Sequence, residues 1–194
     1  MLSYNESLKI LKETKALLEG HFILSSGLHS RQYVQCAKLL SYPKKAESVC
    51  SSLCEKIEKN FNKIDIVISP AVGGIVVGYE IGRQLGIETI FAERINGKMV
   101  LRRGFKILQN SNVLIVEDVI TTGKSALECL DIVKQNKSKL VGYACIIDRS
   151  NVDLLIKDKI VSQINLKIDT FKPDEVPEEL KKIQPIKPGS RNLS

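Results

Sequence analysis

The sequence predicts an α/β fold built on a doubly wound, mainly parallel sheet. The prediction depends on short apolar, β-branched runs that alternate along the chain with segments of helical periodicity. The apolar runs lie at residues 64–69, 88–92, 113–116 and 140–147. The helical segments lie at residues 44–60, 75–85 and 124–135. Because runs that are apolar throughout are typical of strands buried on both faces, helices should cover both sides of the sheet. Ligands should then bind at the carboxyl ends of the strands.

Three further segments do not follow this alternation. The first 20 residues predict an amphipathic helix, with apolar positions at Leu8, Leu11, Ala16 and Leu18. Residues 94–106 are basic, contain two glycines and have no acidic residue, which favours an exposed loop or hairpin between two strands. The chain from residue 172 onward is rich in proline and charge and should form an extended surface segment.

Length and composition indicate one globular domain. A chain of 194 residues can bury about 70% of its unfolded surface without disulfides or a structural metal. No stretch approaches the ~20 apolar residues needed to cross a membrane, and Glu6 and Glu13 interrupt the N-terminal segment, so neither a membrane span nor a signal peptide is expected. Five scattered cysteines and two histidines argue against a zinc site and favour reduced thiols in the cytoplasm.

The net charge of +7 has three possible explanations. It fits a nucleic-acid binder, a protein with a polyanionic small substrate, or a lysine-rich solvated surface. An aromatic content of 5% with no Trp argues against a base-stacking surface for single-stranded nucleic acid.

The strongest local signal is the segment VLIVEDVITTGKS at residues 113–125. An apolar strand is followed by two adjacent carboxylates, Glu117 and Asp118, and then by a turn rich in hydroxyls and glycine that opens a helix. Such a turn offers backbone N–H groups, hydroxyls and a helix N-terminus to a phosphate. Carboxylates beside a phosphate site would repel the ligand unless they accept hydrogen bonds from another part of it, such as sugar hydroxyls. The segment therefore predicts a phosphorylated ribose as ligand.

Two other interpretations apply to the same segment. Gly123-Lys124-Ser125 is similar to the end of a P-loop, but that motif needs a glycine five residues earlier, where Asp118 stands. A polar strand-to-helix turn with a good N-cap is the plain structural alternative.

Residues 117–125 (EDVITTGKS) resemble the phosphoribosyl pyrophosphate (PRPP) signature of the type I phosphoribosyltransferases. Further segments resemble the orotate phosphoribosyltransferases in particular, so that the resemblance extends over roughly residues 20–191. These segments are FILSSGLHSRQYVQCA at 22–37, SPAVGGIVVG at 69–78, FAER at 91–94, Asp148-Arg149 and Pro188-Gly189-Ser190-Arg191.

The resemblance implies a role for each matching residue. Glu117 and Asp118 would hold the ribose hydroxyls, residues 121–125 would bind the 5-phosphate, and Thr121 and Arg149 would contact orotate. The expected PRPP contacts are Glu117, Asp118, Val119, Ile120, Thr121, Thr122, Gly123, Lys124, Ser125, Gly73 and Arg94. The residues expected to serve the chemical step are Glu117, Asp118, Lys98 and Arg102, with Arg94, Lys98, Arg102 and Arg103 as candidates for gripping pyrophosphate.

The resemblance also implies a single domain with three parts. Residues 1–42 would form an N-terminal hood segment, residues 43–170 the α/β core and residues 171–194 an extended tail. The basic segment would be a mobile flap that closes over the site of a neighbouring subunit in a homodimer. Mg²⁺ would be held mainly by PRPP, with no metal site in the protein, and no nucleic acid or membrane is expected as a partner.

The implied reaction displaces pyrophosphate from C1 of the ribose by N1 of orotate, with inversion, and gives orotidine 5′-monophosphate for pyrimidine biosynthesis. Two departures from the family pattern concern charge, because many relatives carry lysine where Ser25 and Gly73 stand. Two rival functions are a purine phosphoribosyltransferase and a PRPP-sensing regulator that binds nucleic acid. A DNA-binding regulator of that kind would need a domain ahead of residue 20, where the chain has too few residues for a winged helix.

Overall fold

The computed structural model describes residues 1–150, 156 and 159–188. The helices of this part of the chain are α1 (Tyr4–Glu13), α2 (Cys36–Leu40), α3 (Pro43–Asn60), α4 (Gly73–Leu85), α5 (Lys124–Gln135) and α6 (Glu178–Lys181). Its strands are β1 (Leu17–Ile23), β2 (His29–Val34), β3 (Ile66–Pro70), β4 (Glu88–Ile95), β5 (Lys98–Leu101), β6 (Asn112–Ile120), β7 (Lys139–Asp148), β8 (Ile160–Asn165) and β9 (Thr170–Phe171).

A six-stranded sheet in the order β5-β4-β3-β6-β7-β8 forms the centre of the molecule. Every neighbouring pair is parallel except β4 and β5, which form an antiparallel hairpin at one edge. The structure thus confirms the predicted α/β class with a mainly parallel sheet.

Helices cover both faces of this sheet, as the uniformly apolar strands predicted. Alternate residues of β6 belong to different cores. Leu114 and Val116 pack on the side of α3 and α4, whereas Val113 and Ile115 pack on the side of α5. This alternation follows from the two-residue period of a strand, and it decides which way the residues after Val116 point.

The predicted N-terminal helix ends earlier than its apolar pattern suggested. Helix α1 stops at Glu13, and Thr14 is its C-cap residue. Lys15 then takes a left-handed φ of +57°, and the Ala16 N–H bonds to the carbonyl of Leu11 at 2.8 Å, a Schellman-type C-terminus. The assignment of Ala16 and Leu18 to the helix was wrong, since Leu18 lies in β1.

A second, smaller sheet joins the two ends of the described chain. Strands β1 and β2 pair with each other, and β2 pairs with β9, all antiparallel. The tail predicted at residues 171–194 is not extended throughout, because it contains α6. Val176 and Leu180 of this segment are buried. Ile186 then pairs with Phe22 of β1. Of the predicted Pro188-Gly189-Ser190-Arg191 motif, the last three residues lie outside the described residues.

No helix in the described ranges is both long and apolar enough to cross a membrane.

Candidate functional site

Three adjacent parallel strands, β3, β6 and β7, end at the same edge of the central sheet. Ile120 at the end of β6 is in register with Asp148 at the end of β7. The backbone N–H of Arg149 donates to the carbonyl of Ile120 at 2.8 Å. The sheet therefore brings together the turn at residues 70–74, the acid pair and Arg149, which lie far apart in the sequence.

The sequence suggested that the two acidic residues follow the strand. In the structure they are part of β6. Adjacent residues of a strand point to opposite faces. Glu117 accordingly faces the side of α5, like Val113 and Ile115 before it, and Asp118 faces the start of α4. The pair thus extends around the edge of the sheet instead of lining one wall of a pocket.

Glu117 is a buried carboxyl group, and its Oε1 atom has no hydrogen-bond partner among the described residues. Burial raises the pKa of Glu117 to about 8, and the negative charge of Asp118 adds to this effect. Burial also raises the pKa of Asp118, although its Oδ1 accepts from the Val119 N–H at 2.9 Å. A buried and a half-buried acid, neither of which forms an ion pair with another described residue, are ready to receive hydrogen-bond donors from a ligand.

The turn between β6 and α5 is open toward solvent. Thr121, Thr122 and Lys124 are exposed. Gly123 is the N-cap of α5 with φ +69°, a left-handed conformation that favours glycine. The N-cap residue has no side chain to cap this 12-residue helix, and the Lys124 N–H makes only a long hydrogen bond of 3.4 Å to the Thr122 hydroxyl. The first N–H groups of the helix and its positive dipole end can therefore bind an anion.

A second turn, at residues 70–74, reaches the acid pair from the side of β3. The peptide bond between Ala71 and Val72 is cis, and α4 begins at Gly73 with no side-chain cap. A Cβ atom on Gly73 would lie 2.9 Å from both carboxylate oxygens of Asp118. Gly73 and Asp118 therefore belong to one site, and only glycine permits this approach while Asp118 keeps its place.

Arg149 extends the site on the β7 side. Its side chain is half-buried, and its Nε has no hydrogen-bond partner within the described ranges. Burial lowers the pKa of its guanidinium group. Because a buried polar donor without a partner is costly, a planar anionic ligand is the natural partner for this group.

The basic segment forms the β4–β5 hairpin, as predicted, and turns at Asn96-Gly97 with positive φ at both residues. Two of its arginines already have partners. Arg94, expected to bind pyrophosphate, forms a two-pronged ion pair with Glu128 of α5 and donates to the Gly97 carbonyl at 2.9 Å. Arg103 pairs with Glu93 at 3.0 Å and lies over the Phe91 ring.

Lys98 and Arg102 differ from these two arginines. Both are exposed, and neither forms an ion pair with another described residue. The structure thus gathers residues 117–125, Gly73 and Arg149 at one edge, whereas Arg94, Lys98 and Arg102 lie on the hairpin beside it. Glu128 was missed in the sequence, because its partner Arg94 lies 34 residues away on a different element.

Comparison with known proteins gives a consistent result. The profile of the phosphoribosyl transferase domain matches residues 42–179. The chain is 48% identical over 184 residues to a protein of Caldicellulosiruptor bescii named orotate phosphoribosyltransferase, covering 95% of this chain and 96% of the relative. A protein of that name from Methylorubrum extorquens is 48% identical over 189 residues, covering 97% and 96%. The solved structure of orotate phosphoribosyltransferase from Aeropyrum pernix superimposes with a TM-score of 0.69 at 25% identity, covering 82% of this chain and 93% of that one. The chain belongs to the orotate phosphoribosyltransferase family.

Proposed function

We propose that this protein transfers the 5-phosphoribosyl group of PRPP to N1 of orotate, giving orotidine 5′-monophosphate and pyrophosphate. One observation carries the proposal beyond family membership. A buried and a half-buried carboxyl group, a helix N-terminus without a side-chain cap and a guanidinium Nε without a partner among the described residues meet at one sheet edge. A ligand that combines hydroxyls, phosphates and a planar carboxylate would satisfy all three groups.

The acid pair is proposed to accept hydrogen bonds from the ribose 2′- and 3′-hydroxyls. Because Glu117 and Asp118 face opposite sides of the sheet edge, the sugar ring would lie across the end of β6. The 5-phosphate would then reach the N-terminus of α5, with backbone amides and hydroxyls of residues 121–125 as donors. Val119 and Ile120 would contribute backbone contacts to the same ligand.

Gly73 and the cations of the hairpin are proposed to receive the pyrophosphate. The turn that contains Gly73 lies against Asp118, which would bring backbone amides close to C1 of the ribose. Lys98 and Arg102 are available for a new anion, whereas Arg94 would have to leave Glu128 first. Pyrophosphate has more negative charge than one carboxylate, which would favour that exchange.

Thr121 and Arg149 are proposed to hold orotate. The guanidinium group of Arg149 matches a planar carboxylate through two parallel hydrogen bonds. Because Arg149 is bonded through its backbone to Ile120, orotate held there would lie beside the ribose at the end of β6.

The chemical step needs positioning and charge stabilisation rather than a covalent nucleophile. The C1–oxygen bond breaks, its electron pair leaves with pyrophosphate, and N1 of orotate forms the new bond after losing its proton. Residues that hold both substrates in place make the step effectively unimolecular. Cations at the departing pyrophosphate lower the energy barrier of the step. Exclusion of water by a closed hairpin would prevent hydrolysis of PRPP.

Mg²⁺ is proposed as the cofactor that enters with PRPP. Among the described residues, no three His, Cys, Asp or Glu side chains come together as a metal site. Neither Glu117 nor Asp118 forms an ion pair with another described residue, and desolvation raises the pKa of both, which fits a ligand that brings its own positive charge. When bound, Mg²⁺ supplies positive charge to the phosphates.

Substituting Arg149 tests the orotate site. We expect Arg149→Ala to raise the KM for orotate about 10- to 100-fold, because charge-assisted hydrogen bonds worth about 1.5–3 kcal/mol each are lost. The KM for PRPP should change little. Steady-state kinetics with orotate absorbance as the signal gives both values, and an unchanged orotate KM together with an unchanged kcat would exclude this role for Arg149.

We also propose that the enzyme is a homodimer with shared sites. Val72, Val76 and Tyr79 lie on one face at the start of α4 and are 82%, 50% and 65% exposed. An exposed apolar stripe beside the site has the chemistry of a subunit interface. In such a dimer, Lys98 and Arg102 would act at the partner's site.

Mixing two inactive variants tests the shared site. A Lys98→Ala, Arg102→Ala variant and an Asp118→Asn variant should each have little activity. Mixed dimers with one intact site should recover up to about a quarter of the wild-type rate, on the assumption of random pairing. Each variant refolded alone is the control. If the mixture is no more active than the separate samples, the sites are not completed across a subunit interface.

A cytoplasmic location is the last part of the proposal. All five cysteines are buried and none forms a disulfide, which agrees with a reducing compartment.

A further inference from the structure

We infer that Asp148 and Asn165 are positioning residues that hold the turn carrying Arg149 in the geometry that orotate needs. The inference rests on the proposed role of Arg149. It adds to that role a buried carboxylate and a partner from the neighbouring strand β8, both of which would act through the position of Arg149.

Asp148 is the last residue of β7, and only 3% of it is exposed. Its Oδ1 accepts from the Ser150 N–H at 2.8 Å and from the Ser150 hydroxyl at 2.6 Å. Its Oδ2 accepts from Nδ2 of Asn165 at 3.0 Å. The carboxylate therefore ties the residue after Arg149 to the end of β8.

The backbone on both sides of this carboxylate is fixed as well. Arg149 N–H donates to the Ile120 carbonyl at 2.8 Å, and Leu166 N–H donates to the Asp148 carbonyl at 2.9 Å. Arg149 is thus held through its main chain and its two neighbours. Its side chain takes no part in these bonds, and the Nε is left without a partner within the described part of the chain.

This division of roles has a physical reason. A binding arginine that was fixed through its own guanidinium would have to break those bonds before it could bind a ligand. Fixing the neighbours instead keeps the guanidinium open and limits the backbone freedom that binding would otherwise remove. The burial of Asp148 requires hydrogen-bond donors around it, and Ser150 and Asn165 provide them.

A reciprocal exchange of the two side chains tests the inference. Asp148→Asn would place an amide NH₂ against a donor, either Nδ2 of Asn165 or the Ser150 N–H, and Asn165→Asp would place two carboxylates face to face. Each single change should raise the KM for orotate about tenfold, the equivalent of about 1.4 kcal/mol, with the KM for PRPP within about twofold of wild type. The double exchange reverses donor and acceptor and should return the orotate KM to within about threefold.

Two additional variants separate positioning from folding. Asn165→Ala removes only an exposed side chain, so it should fold and still raise the orotate KM. Gln163→Glu is the matched control on β8, because the Gln163 amide donates to Ser7 at 2.8 Å and to the Leu2 carbonyl at 3.3 Å rather than to Asp148. It should lower the melting temperature and leave the orotate KM unchanged.

The outcomes distinguish this inference from the proposed function. If the wild-type protein consumes no orotate, or if Arg149→Ala leaves orotate kinetics unchanged, the role of Arg149 fails and the positioning role fails with it. If both tests succeed but Asp148→Asn and Asn165→Ala leave the orotate KM at the wild-type value, only the positioning role is wrong. A double exchange that folds normally but keeps a high orotate KM also contradicts it.

Discussion

Glu117→Gln is expected to lower kcat/KM for PRPP about 10- to 100-fold and, at the same time, to stabilise the ligand-free protein near pH 8. The loss of activity follows from replacing an acceptor of a ribose hydroxyl that would become charged when PRPP and Mg²⁺ bind, because a hydrogen bond to a charged group is worth about 1.5–3 kcal/mol. The gain in stability follows from removing a carboxyl group that is costly to ionise in its buried position.

The sign of the pH dependence follows from the pKa of Glu117. It lies at about 8 in the folded protein, above its ordinary value of 4.5. Between these two values the folded protein keeps a proton that the unfolded chain has lost, so the stability contributed by this group is present at low pH and is lost as pH rises. Glutamine does not titrate, so the variant should show no such loss.

Thermal unfolding without ligand at about pH 5 and at about pH 8.5 measures the effect. One pKa unit corresponds to about 1.4 kcal/mol, so the variant should be more stable by a few kcal/mol at the higher pH, or by about 4–10 °C in Tm. Glu13→Gln is the control, because the ion pair with Lys45 lowers the pKa of Glu13. It should raise neither the stability nor the KM for PRPP, and a Glu117→Gln variant that was no more stable at high pH would show that Glu117 is not held in a costly environment.

Gly73→Ala is expected to reduce kcat/KM for PRPP about 10- to 100-fold while leaving the protein folded. The added Cβ would lie 2.9 Å from both carboxylate oxygens of Asp118, closer than such atoms can remain, so the Asp118 side chain must move. The movement costs the fold only about 1–3 kcal/mol. The same movement would take the Asp118 carboxylate out of the position in which it accepts hydrogen bonds from the ribose hydroxyls, and the rate depends on that position.

Gly86→Ala is the matched control, because Gly86 ends the same helix α4. Its φ is +67° and nothing lies within 4 Å of an added Cβ atom, so alanine there should lower stability by about 1 kcal/mol and leave PRPP kinetics unchanged. Melting temperatures and PRPP kinetics of both variants separate the two effects. Wild-type kinetics for Gly73→Ala would mean that the approach of this turn to Asp118 has no part in ligand binding.

Much of the fold was predictable, because it depends on local patterns. The uniformly apolar runs around Leu114 and Ala144 required a sheet covered on both faces, and the range of α5 followed from its periodicity. The end of α1 was not predictable in this way, because the left-handed φ of Lys15 occurs at a residue type that rarely adopts it. The segment between residues 20 and 37 gave no clear strand pattern, although β1 and β2 pair with each other there, and the third strand of their sheet, β9, lies far away in sequence.

The candidate site was partly predictable for a similar reason. The acid pair and the turn after it are contiguous, so their common role was visible in the sequence. The opposite orientations of Glu117 and Asp118 depend on the extension of β6 through the acid pair. The contact of Gly73 with Asp118 and the pairing of Arg94 with Glu128 depend on how separate elements pack. The binding roles of the PRPP and orotate residues stay predictions.

Calorimetric titration of PRPP in the presence of Mg²⁺ tests the central claim most directly, namely that Glu117, Asp118 and the turn at residues 121–125 bind one ribose phosphate together. We expect a single saturable site per chain for the wild-type protein. A Glu117→Gln, Asp118→Asn variant should bind at least about 100-fold more weakly, through loss of two charged acceptors. Ribose 5-phosphate should compete with PRPP for the wild-type site. Saturation of the double variant at wild-type affinity, or no detectable binding to the wild-type protein, would contradict the account.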